Sequence, residues 1–485
     1  MSAMKNIENA CASGTAVSAN AVSALHGLWG QCGLDPQALQ RAQLTGQAQG
    51  FAASFAAADL VQASVGAAAL MATEIGGLRD GSQPAQTVAI SAQHAAFESS
   101  GYFLLDGLQP DLWSPISGLY ACGAAVGAPG WVRIHANFAH HRDGALALLG
   151  LAPGPDTPRA AVEQALQQWS AERFEAAAAQ QGLPIAASRS HEAWLALDHA
   201  AVIAAQPLVA IERVGDAPPM AWPVLGAEQR PLAGLKVLDL TRILAGPVAG
   251  RTLAAYGAEV MLINSPNLPN IDAIADTSRG KRSAHVDLET AQGRKVLTAL
   301  LGQAQVFMQA YRPGALAAKG FGAEQLAQLR PGIVVGELCA YGWQGPWAGR
   351  RGFDSLVQTA TGINADEAAA RGLAKPQVLP MQALDYGAGF LLAFGVQAAL
   401  LRQAREGGSW RVRVTLAGVA HWLRSLGRVE QPQWKEEKPD ITPYLETLDS
   451  GFGQLQAVRH CAQFPRTPAA WDRPSVPPGT DEARW

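Results

Sequence analysis

The sequence predicts an α/β fold, with a large domain built on a mainly parallel sheet and a smaller α+β domain before it. In the C-terminal half, short apolar runs alternate with helical segments across short turns, which is typical of a parallel sheet. A proline-rich segment at 216–231 separates this half from an N-terminal half with a different pattern. The chain has 485 residues, 48% of them hydrophobic, which is ample for several domains.

The C-terminal half begins with a predicted strand at 235–240 (LKVLDL), a short apolar run that follows Pro231 and Gly234. A helical segment follows, and Gly257 fits the position just after its end. The next predicted elements are a strand at 260–263, a polar loop at 264–280, a helix at 290–303, a strand at 305–308, a helix at 323–329 and a strand at 332–338. This succession predicts a Rossmann-like large domain over 231–430.

The N-terminal half gives weaker signals, although a small α+β domain is predicted at 111–225. The predicted elements of this half are a helix at 59–80, strands at 86–91, 131–138 and 208–214, and helices at 158–169, 170–182 and 193–207. Residues 431–485 are interpreted as a C-terminal tail without assigned chemistry.

One internal repeat is visible, in which residues 58–91 align with 384–417 without gaps at an offset of 326. The aligned pairs include Asp59 with Asp385, Arg79 with Arg405, Gly81 with Gly407 and Val88 with Val414. We interpret 1–110 as a degenerate partial copy of the large domain, with Asp59 as a helix cap or relic. The alternative is that two alanine-rich helices resemble each other by chance.

Composition excludes several classes of protein. The formal net charge of −3 gives no global reason to expect nucleic acid or an anionic membrane as a partner. The five cysteines show no CxxC spacing, so a disulfide framework or a metal site is not expected. The first residues lack a signal-peptide pattern, and the alanine-rich stretch at 56–71 is interrupted by polar residues. We therefore expect a cytoplasmic protein.

Four segments of the C-terminal half stand out: 231–260 (PLAGLKVLDLTRILAGPVAGRTLAAYGAEV), 280–297 (GKRSAHVDLETAQGRKVL), 309–316 (QAYRPGAL) and 338–354 (LCAYGWQGPWAGRRGFD). In order and spacing they resemble segments of the family III CoA-transferases, the formyl-CoA-transferase and carnitine-dehydratase family. Each segment alone is weak, but the set of four is specific. The resemblance covers 231–420 and, less strongly, the small-domain region.

Asp385, in LPMQALDYGAGF, is the candidate nucleophile. It stands at the head of an apolar helix, where a carboxylate is stabilised as the anion, and the nearby Gly387 and Gly389 would let a thioester approach. Without the resemblance, a plain helix cap would be the commoner role for this residue. The resemblance implies that Asp385 attacks an acyl-CoA thioester through a mixed anhydride and an aspartyl-CoA thioester. Backbone N–H groups near the two glycines are the candidate oxyanion donors.

The resemblance also implies CoA as the substrate carrier, and CoA phosphates call for basic groups. The basic candidates in the matching loops are Arg279, Lys281, Arg282, Arg312, Arg350 and Arg351. The family's backbone contact to CoA falls on Leu244 and Ala245, and Tyr311 and Phe353 could pack against adenine or pantetheine. For any one cation the alternative is a solvated surface position, and for the aromatic residues it is a core position.

Three departures from the family pattern weaken the phosphate-binding case: Asn264, Ser265 and Ala318, the last with Lys319 beside it. The expected partners are acyl-CoA and a carboxylic acid, without metal, nucleic acid or membrane. The resemblance also implies a homodimer, although a fused half could replace that partner.

Two other functions stay open, an α-methylacyl-CoA racemase-like isomerase and a non-catalytic CoA-binding homologue. The racemase-like relatives need a histidine where this chain has Phe353, because moving an α-proton takes an acid and a base. His135, His140 and His141 match no common zinc spacing and are expected in a surface strand and loop.

Overall fold

The computed structural model describes residues 18–80, 84–226, 228–429, 432–435 and 437–485, so that Cys11 and Gly81 lie outside the described residues. The described strands, in chain order from β1 to β16, are Ala42–Thr45, Val88–Ser91, Phe103–Leu105, Gly118–Cys122, Gly130–Ile134, Ile185–Ala187, Ala210–Gly215, Lys236–Leu240, Glu259–Asn264, Lys281–His285, Val306–Gln309, Val334–Cys339, Ser409–Thr415, Leu445–Ser450, Gly453–Val458 and Ala462–Gln463.

The described α-helices, from α1 to α16, are Ala19–Gln31, Ala57–Asp80, Ala92–Glu98, Ala139–Leu148, Arg159–Leu166, Ala171–Gln180, His191–Leu195, Asp198–Ala204, Ala245–Ala255, Ile274–Thr277, Ala291–Leu301, Ala323–Leu329, Asp354–Ala360, Ile363–Ala370, Ala383–Glu406 and Leu416–Ser425. Short 3-10 helices connect some of them, at Pro36–Arg41, Ala124–Val126, Ala317–Lys319 and Thr442–Tyr444.

The large domain is built on a seven-stranded sheet with the order β10-β9-β8-β11-β12-β13-β7. Six of its strands pair in parallel, and only the edge strand β7 runs antiparallel, against β13. The order reverses between β8 and β11, which makes the carboxyl ends of these two strands the topological switch point of the sheet. The predicted α/β fold with a mainly parallel sheet is confirmed at this level.

The central strands are continuous apolar runs because both faces of the sheet are covered by helices. Val237, Val306 and Val334 face the cluster shared with α9 and α15, whereas their neighbours Leu238 and Phe307 face the cluster shared with α11 and α12. A parallel sheet with helices on both faces buries every strand position, so no polar alternation remains. The edge strand β10 was not predicted because its sequence, KRSAH, lacks an apolar run.

The helices α2 and α15 pack side by side in the centre of the molecule, and each is 24 residues long. Their bounds differ by the offset of the sequence repeat, and each is followed by a strand and a shorter helix, β2 and α3 in one case and β13 and α16 in the other. Both helices are long and apolar enough to cross a bilayer, but 83% and 100% of their most apolar windows are buried, as in core helices of soluble proteins.

The small domain has its own core, in which the antiparallel sheet β4-β5-β6 packs on α4, α5 and α6. The predicted small-domain range of 111–225 is too long, because β7 pairs with the large sheet and α8 packs on α16. The predicted helix at 193–207 is two short helices, α7 and α8, that meet at Ala196 and Leu197.

The predicted tail is part of the fold. Strand β15 of the hairpin β14–β15 pairs with β3, and β16 pairs with β2, whose other neighbour is β1. The last segment of the chain therefore adds strands to two sheets that begin in the N-terminal segment. These strands are short, and the register of β15 and β16 comes from partners more than 300 residues away, which a local pattern does not encode.

Candidate functional site

Asp385 lies in the first turn of α15 and faces a cavity of about 370 Å³. The large domain contributes Leu244, Phe353 and Tyr386 to the wall of this acyl cavity, as we name it, and the preceding half of the chain contributes Trp113 and His135. The candidate nucleophile is thus enclosed by two parts of the same chain.

Asp354, the first residue of α13, holds the start of α15 in place. Its Oδ2 accepts hydrogen bonds from the backbone N–H groups of Leu384, at 2.8 Å, and Asp385, at 3.0 Å, and its Oδ1 accepts one from Gln358. Free N–H groups at a helix start need such an acceptor, so the cap role that the sequence left open for Asp385 belongs to Asp354. Sequence reasoning noted Asp354 only as part of a motif and assigned it no role.

The two carboxyl groups are buried near each other, and burial is the main cause that raises the pKa of both. The pKa of Asp354 is raised to about 6, because its hydrogen bonds to the backbone and to Gln358 only partly offset burial. The pKa of Asp385 is raised well above its ordinary value by burial and, second, by the negative charge of Asp354. Carboxyl pairs of this kind occur at catalytic sites, where one group keeps its proton to higher pH.

Gly387 and Gly389 have a packing role that differs from the prediction. A Cβ on Gly389 would lie 2.5 Å from the carbonyl oxygen of Ala245, and one on Gly387 would lie 2.6 Å from the side chain of Leu60. Both glycines lie beyond the first four N–H groups of α15, so their own N–H groups are engaged within the helix. This placement does not fit the predicted oxyanion donors.

The surface position expected for the histidines is wrong for His135 and His141, which are both buried. The ring of His135 stacks on that of Phe353, with centroids 3.7 Å apart and planes within 8°. Burial, with Arg133 nearby, lowers the pKa of His135 to about 3, so this imidazole is neutral. Phe353, predicted to contact CoA, thereby brings an imidazole from the small domain to the wall of the acyl cavity.

A second cavity of about 310 Å³ opens at the switch point of the sheet, and we call it the basic cavity. Its arginines are Arg242, Arg312, Arg350 and Arg351, and Tyr311 lines it too. Ile243 and Phe353 line both cavities, so the two adjoin. Crevices at a switch point are where open α/β sheets bind their ligands, and guanidinium groups suit phosphates.

The other predicted cations lie elsewhere. Lys281 is fully buried and donates to Asp239 Oδ2, at 2.9 Å, and to the carbonyl oxygen of Pro247, at 2.8 Å. Arg279 is buried between Asp276 and Glu446. Arg282, on the edge strand β10, donates to the carbonyl oxygen of Arg484. The structure therefore does not bring these three side chains to either cavity.

Leu244 and Ala245 begin α9, where Leu244 lines the acyl cavity and Ala245 packs beneath Gly389. Just before them, Ile243 has a φ of 77°, a left-handed conformation that is rare and strained for a β-branched residue. Arg242 was missed by sequence reasoning, although its place directly after a buried strand could have drawn attention to it. The strained turn aims Arg242 and Leu244 at different cavities.

The departures from the family pattern are locally satisfied. Asn264 is buried and donates to Ser283 Oγ at 2.9 Å, while Lys319 pairs with Glu289 at 2.7 Å. Neither residue lines the two cavities. The basic cavity thus takes its cations from other positions.

Comparison with known proteins identifies the region that contains this site. The profile described as CoA-transferase family III matches residues 232–443. The acetyl-coenzyme A transferase of Hypoxylon pulicicidum is 37% identical over 43% of this chain and 36% of its own length. An acyl-CoA transferase of Gibberella moniliformis is 32% identical over 68% of this chain and 63% of its own length. This chain therefore spans between about a third and two thirds of these relatives.

Among solved structures, a hypothetical protein from Mycobacterium tuberculosis is 35% identical over 40% of this chain and 57% of its own, with a TM-score of 0.38. The resemblance seen in the sequence is confirmed by the profile and the relatives: residues 232–443 match CoA-transferase family III.

Proposed function

We propose that this protein, whose residues 232–443 match CoA-transferase family III, moves CoA between an acyl-CoA thioester and a free carboxylic acid, with Asp385 as the carboxylate that takes the acyl group. One observation carries the proposal: Asp385 faces a cavity that adjoins an arginine-lined cavity at the switch point of the sheet. The first cavity can hold an acyl group and the second the CoA phosphates.

The reaction balances without a redox partner. An ionised Asp385 oxygen attacks the thioester carbon, the C–S bond breaks, and a mixed anhydride and CoA thiolate form. The thiolate attacks the Asp385 carbonyl carbon, which gives an aspartyl-CoA thioester and releases the donor as its carboxylate. The acceptor carboxylate then attacks that carbon and displaces the thiolate. The thiolate finally attacks the acyl carbon of the new anhydride and restores Asp385.

Local electrostatics suit a carboxylate nucleophile. Burial, with the charge of Asp354, disfavours the anion of Asp385, so the ion that forms is poorly solvated and correspondingly reactive. Leu244 N-caps α9 without a side-chain cap, which leaves the positive end of that helix open toward the same cavity. Negative charge that develops at the thioester oxygen would be stabilised there.

Intact-protein mass spectrometry after incubation with succinyl-, acetyl-, formyl- and propionyl-CoA tests the proposal. We expect a covalent adduct that maps to Asp385, is removed by hydroxylamine and is absent from Asp385→Asn. Asp59→Asn is the matched control and should keep the adduct, because Asp59 starts the equivalent helix but lines neither cavity. Measurable CoA binding without an adduct from any donor would favour a non-catalytic homologue.

A second candidate function has an observation of its own, the imidazole of His135 in the wall of the Asp385 cavity. Burial lowers the pKa of His135, so its imidazole is a neutral base, and burial raises the pKa of Asp385, which favours its acid form in the same site. This pair would suit α-proton exchange in a 2-methylacyl-CoA. Incorporation of deuterium from D₂O at the α-carbon without added acid would support the isomerase, and its absence would exclude it.

We also infer that the N-terminal segment arose by duplication of part of the large domain. The equal lengths and offset bounds of α2 and α15 support this inference, as does the helix–strand–helix order that each begins. The resemblance implies a homodimer, in which a fused second copy would replace the partner. Size-exclusion chromatography with light scattering would test whether the chain works as a monomer.

A further inference from the structure

Three buried polar groups beside the acyl cavity have no hydrogen-bond partner among the described residues. They are Arg133 Nε, His135 Nδ1 and Ser355 Oγ. The three residues are 7%, 5% and 2% exposed, and we call them the polar corner. His135 and Ser355 line the acyl cavity itself, and Ser355 follows the capping residue Asp354 in α13.

Strand β5 explains why two of these groups lie together. Along β5 and the residue after it, Val132 and Ile134 point into the small-domain core, so Arg133 and His135 face the opposite side, where β5 packs on α13. Trp113, which also lines the acyl cavity, covers both side chains. Its ring centroid lies 5.7 Å from the Arg133 guanidinium carbon and 5.9 Å from the His135 ring.

The cation of Arg133 lacks a close counter-charge. No described residue forms an ion pair with it, and Asp354 acts on it only at longer range. A buried guanidinium without an anion is costly to maintain, since the usual fate of a buried charge is a hydrogen-bonded partner. His135 and Ser355 lie in the wall of the acyl cavity, and Arg133 lies beside it under Trp113, an arrangement that indicates that a ligand completes the three groups.

A carboxylate has the chemistry to satisfy the polar corner. Its two oxygens offer about four acceptor positions, and a guanidinium fork, a hydroxyl and an imidazole N–H are all donors. Neutral imidazole can donate from either nitrogen, depending on its tautomer. The CoA phosphates have a separate set of arginines in the basic cavity, so the corner is left for the anionic end of the other substrate.

We propose that Arg133, His135 and Ser355 bind the carboxylate of the free acid that exchanges with the acyl group at Asp385. The proposal rests on the transferase function above and names the residues that hold its second substrate. The large domain then binds CoA, carries the nucleophile and supplies Ser355, whereas the small domain supplies Arg133 and His135 to bind the acid.

The two half-reactions separate the roles. Formation of the first covalent adduct from acetyl-CoA needs no free acid, whereas discharge of the aspartyl-CoA thioester requires one. In Arg133→Gln we expect adduct formation within about two-fold of the unsubstituted protein, and a rise of about 10-fold or more in the acetate or propionate concentration that gives half-maximal discharge. Arg133→Lys keeps the charge and should recover part of the loss.

Arg173→Gln is the matched control, because this exposed arginine of the small domain also lies over a tryptophan ring, that of Trp169, at 4.9 Å. It should change neither half-reaction. Thermal unfolding gives a second readout: removing a buried charge that lacks a partner should leave the Tm of Arg133→Gln equal or higher.

An unchanged acid dependence in Arg133→Gln, or a lower Tm that Arg133→Lys does not show, would overturn this inference and assign Arg133 a structural role. The failure of the transferase proposal looks different, because the unsubstituted protein would then form no adduct at all.

Discussion

At the residue scale, Asp354 and Asp385 have different roles at the start of α15. Asp354 accepts the free N–H groups of α15, including that of Asp385, and so fixes where the Asp385 side chain begins. Because Asp354 takes the cap role, the carboxyl group of Asp385 remains free to face the acyl cavity. Its raised pKa then sets the pH at which the nucleophile is ionised.

Adduct formation should therefore depend on pH. Only the anion attacks, and a raised pKa means that the anion forms at higher pH, so the initial rate should rise with pH well above the ordinary Asp value of 3.8. Asp354→Asn removes the like charge but keeps an oxygen acceptor, so its profile should shift toward lower pH. Intact-mass rates between about pH 4 and pH 8 measure both. A flat profile for the unsubstituted protein would contradict the assignment.

The placement of the arginines gives a second prediction at this scale. Arg351→Gln and Arg242→Gln should each weaken CoA binding by about 10-fold, because each removes a charged donor from the basic cavity. The loss should shrink at high salt, where exposed charges are screened. Calorimetry with CoA at two salt concentrations measures it. Arg282→Gln is the control, and a similar loss there would restore the interpretation made from the sequence.

At the element scale, the contact between α9 and α15 sets the depth of the acyl cavity. Gly389 lets the two helices approach until its Cα faces the carbonyl oxygen of Ala245 and the side chain of Val248. The same approach brings the start of α9, at Leu244, beside Asp385. A glycine inside a helix costs conformational entropy, which the close packing of the two helices offsets here.

Gly389→Ala should destabilise the fold by about 1–3 kcal/mol, because its Cβ would lie 2.5 Å from a backbone oxygen that cannot move aside easily. Gly27→Ala is the matched control. Gly27 lies within α1 with no atom within 4 Å of the added Cβ, so this change should stabilise by about 0.5–1 kcal/mol. Urea unfolding of both variants measures the difference, and equal effects would rule out the packing explanation.

At the scale of the whole molecule, a buried charge network joins segments that are distant in sequence. Glu98 of α3 contacts Arg251 of α9 at 3.2 Å and His460 of the C-terminal segment at 2.8 Å. Arg251 also pairs with Asp276, which lines the acyl cavity. The N-terminal segment, the large domain and the last segment are thereby coupled to the wall of the candidate site.

Glu98→Gln should cost about 3–5 kcal/mol, since it removes the buried carboxylate that both Arg251 and His460 contact and leaves Arg251 with Asp276 alone. Burial raises the pKa of Glu98, but His460 and Arg251 outweigh burial and hold it below the ordinary value of 4.5. The lowered pKa stabilises the fold above pH 4.5 and loses this effect as the pH falls, so the two proteins should converge in acid.

Chemical unfolding at neutral and at acid pH tests this expectation. Glu324→Gln is the control, because Glu324 pairs with Arg411 on the surface and should contribute no more than about 1 kcal/mol. A Glu98→Gln deficit that is as large in acid as at neutral pH would show that the network does not act through charge.

The sequence by itself determined the large sheet, the helix that carries Asp385 and the resemblance to CoA-transferase family III. The central strands of this sheet are continuous apolar runs because helices cover both of their faces, and such runs can be recognised in the sequence alone. The turn after β8 and the start of α15 keep motif residues that chemistry requires at fixed spacing. Adjacent residues at one helix start remain together in any fold, so Asp385 could be recognised without coordinates.

Only the tertiary structure decided which polar side chains meet. Lys281 and Arg279 are as basic in sequence as Arg351, but their burial beside Asp239, Asp276 and Glu446 depends on contacts across the fold. His135 reaches Phe353 because β5 packs on a helix more than 200 residues later in the chain. Local pattern records the burial of a residue, but the identity of its partner is set by packing between distant segments.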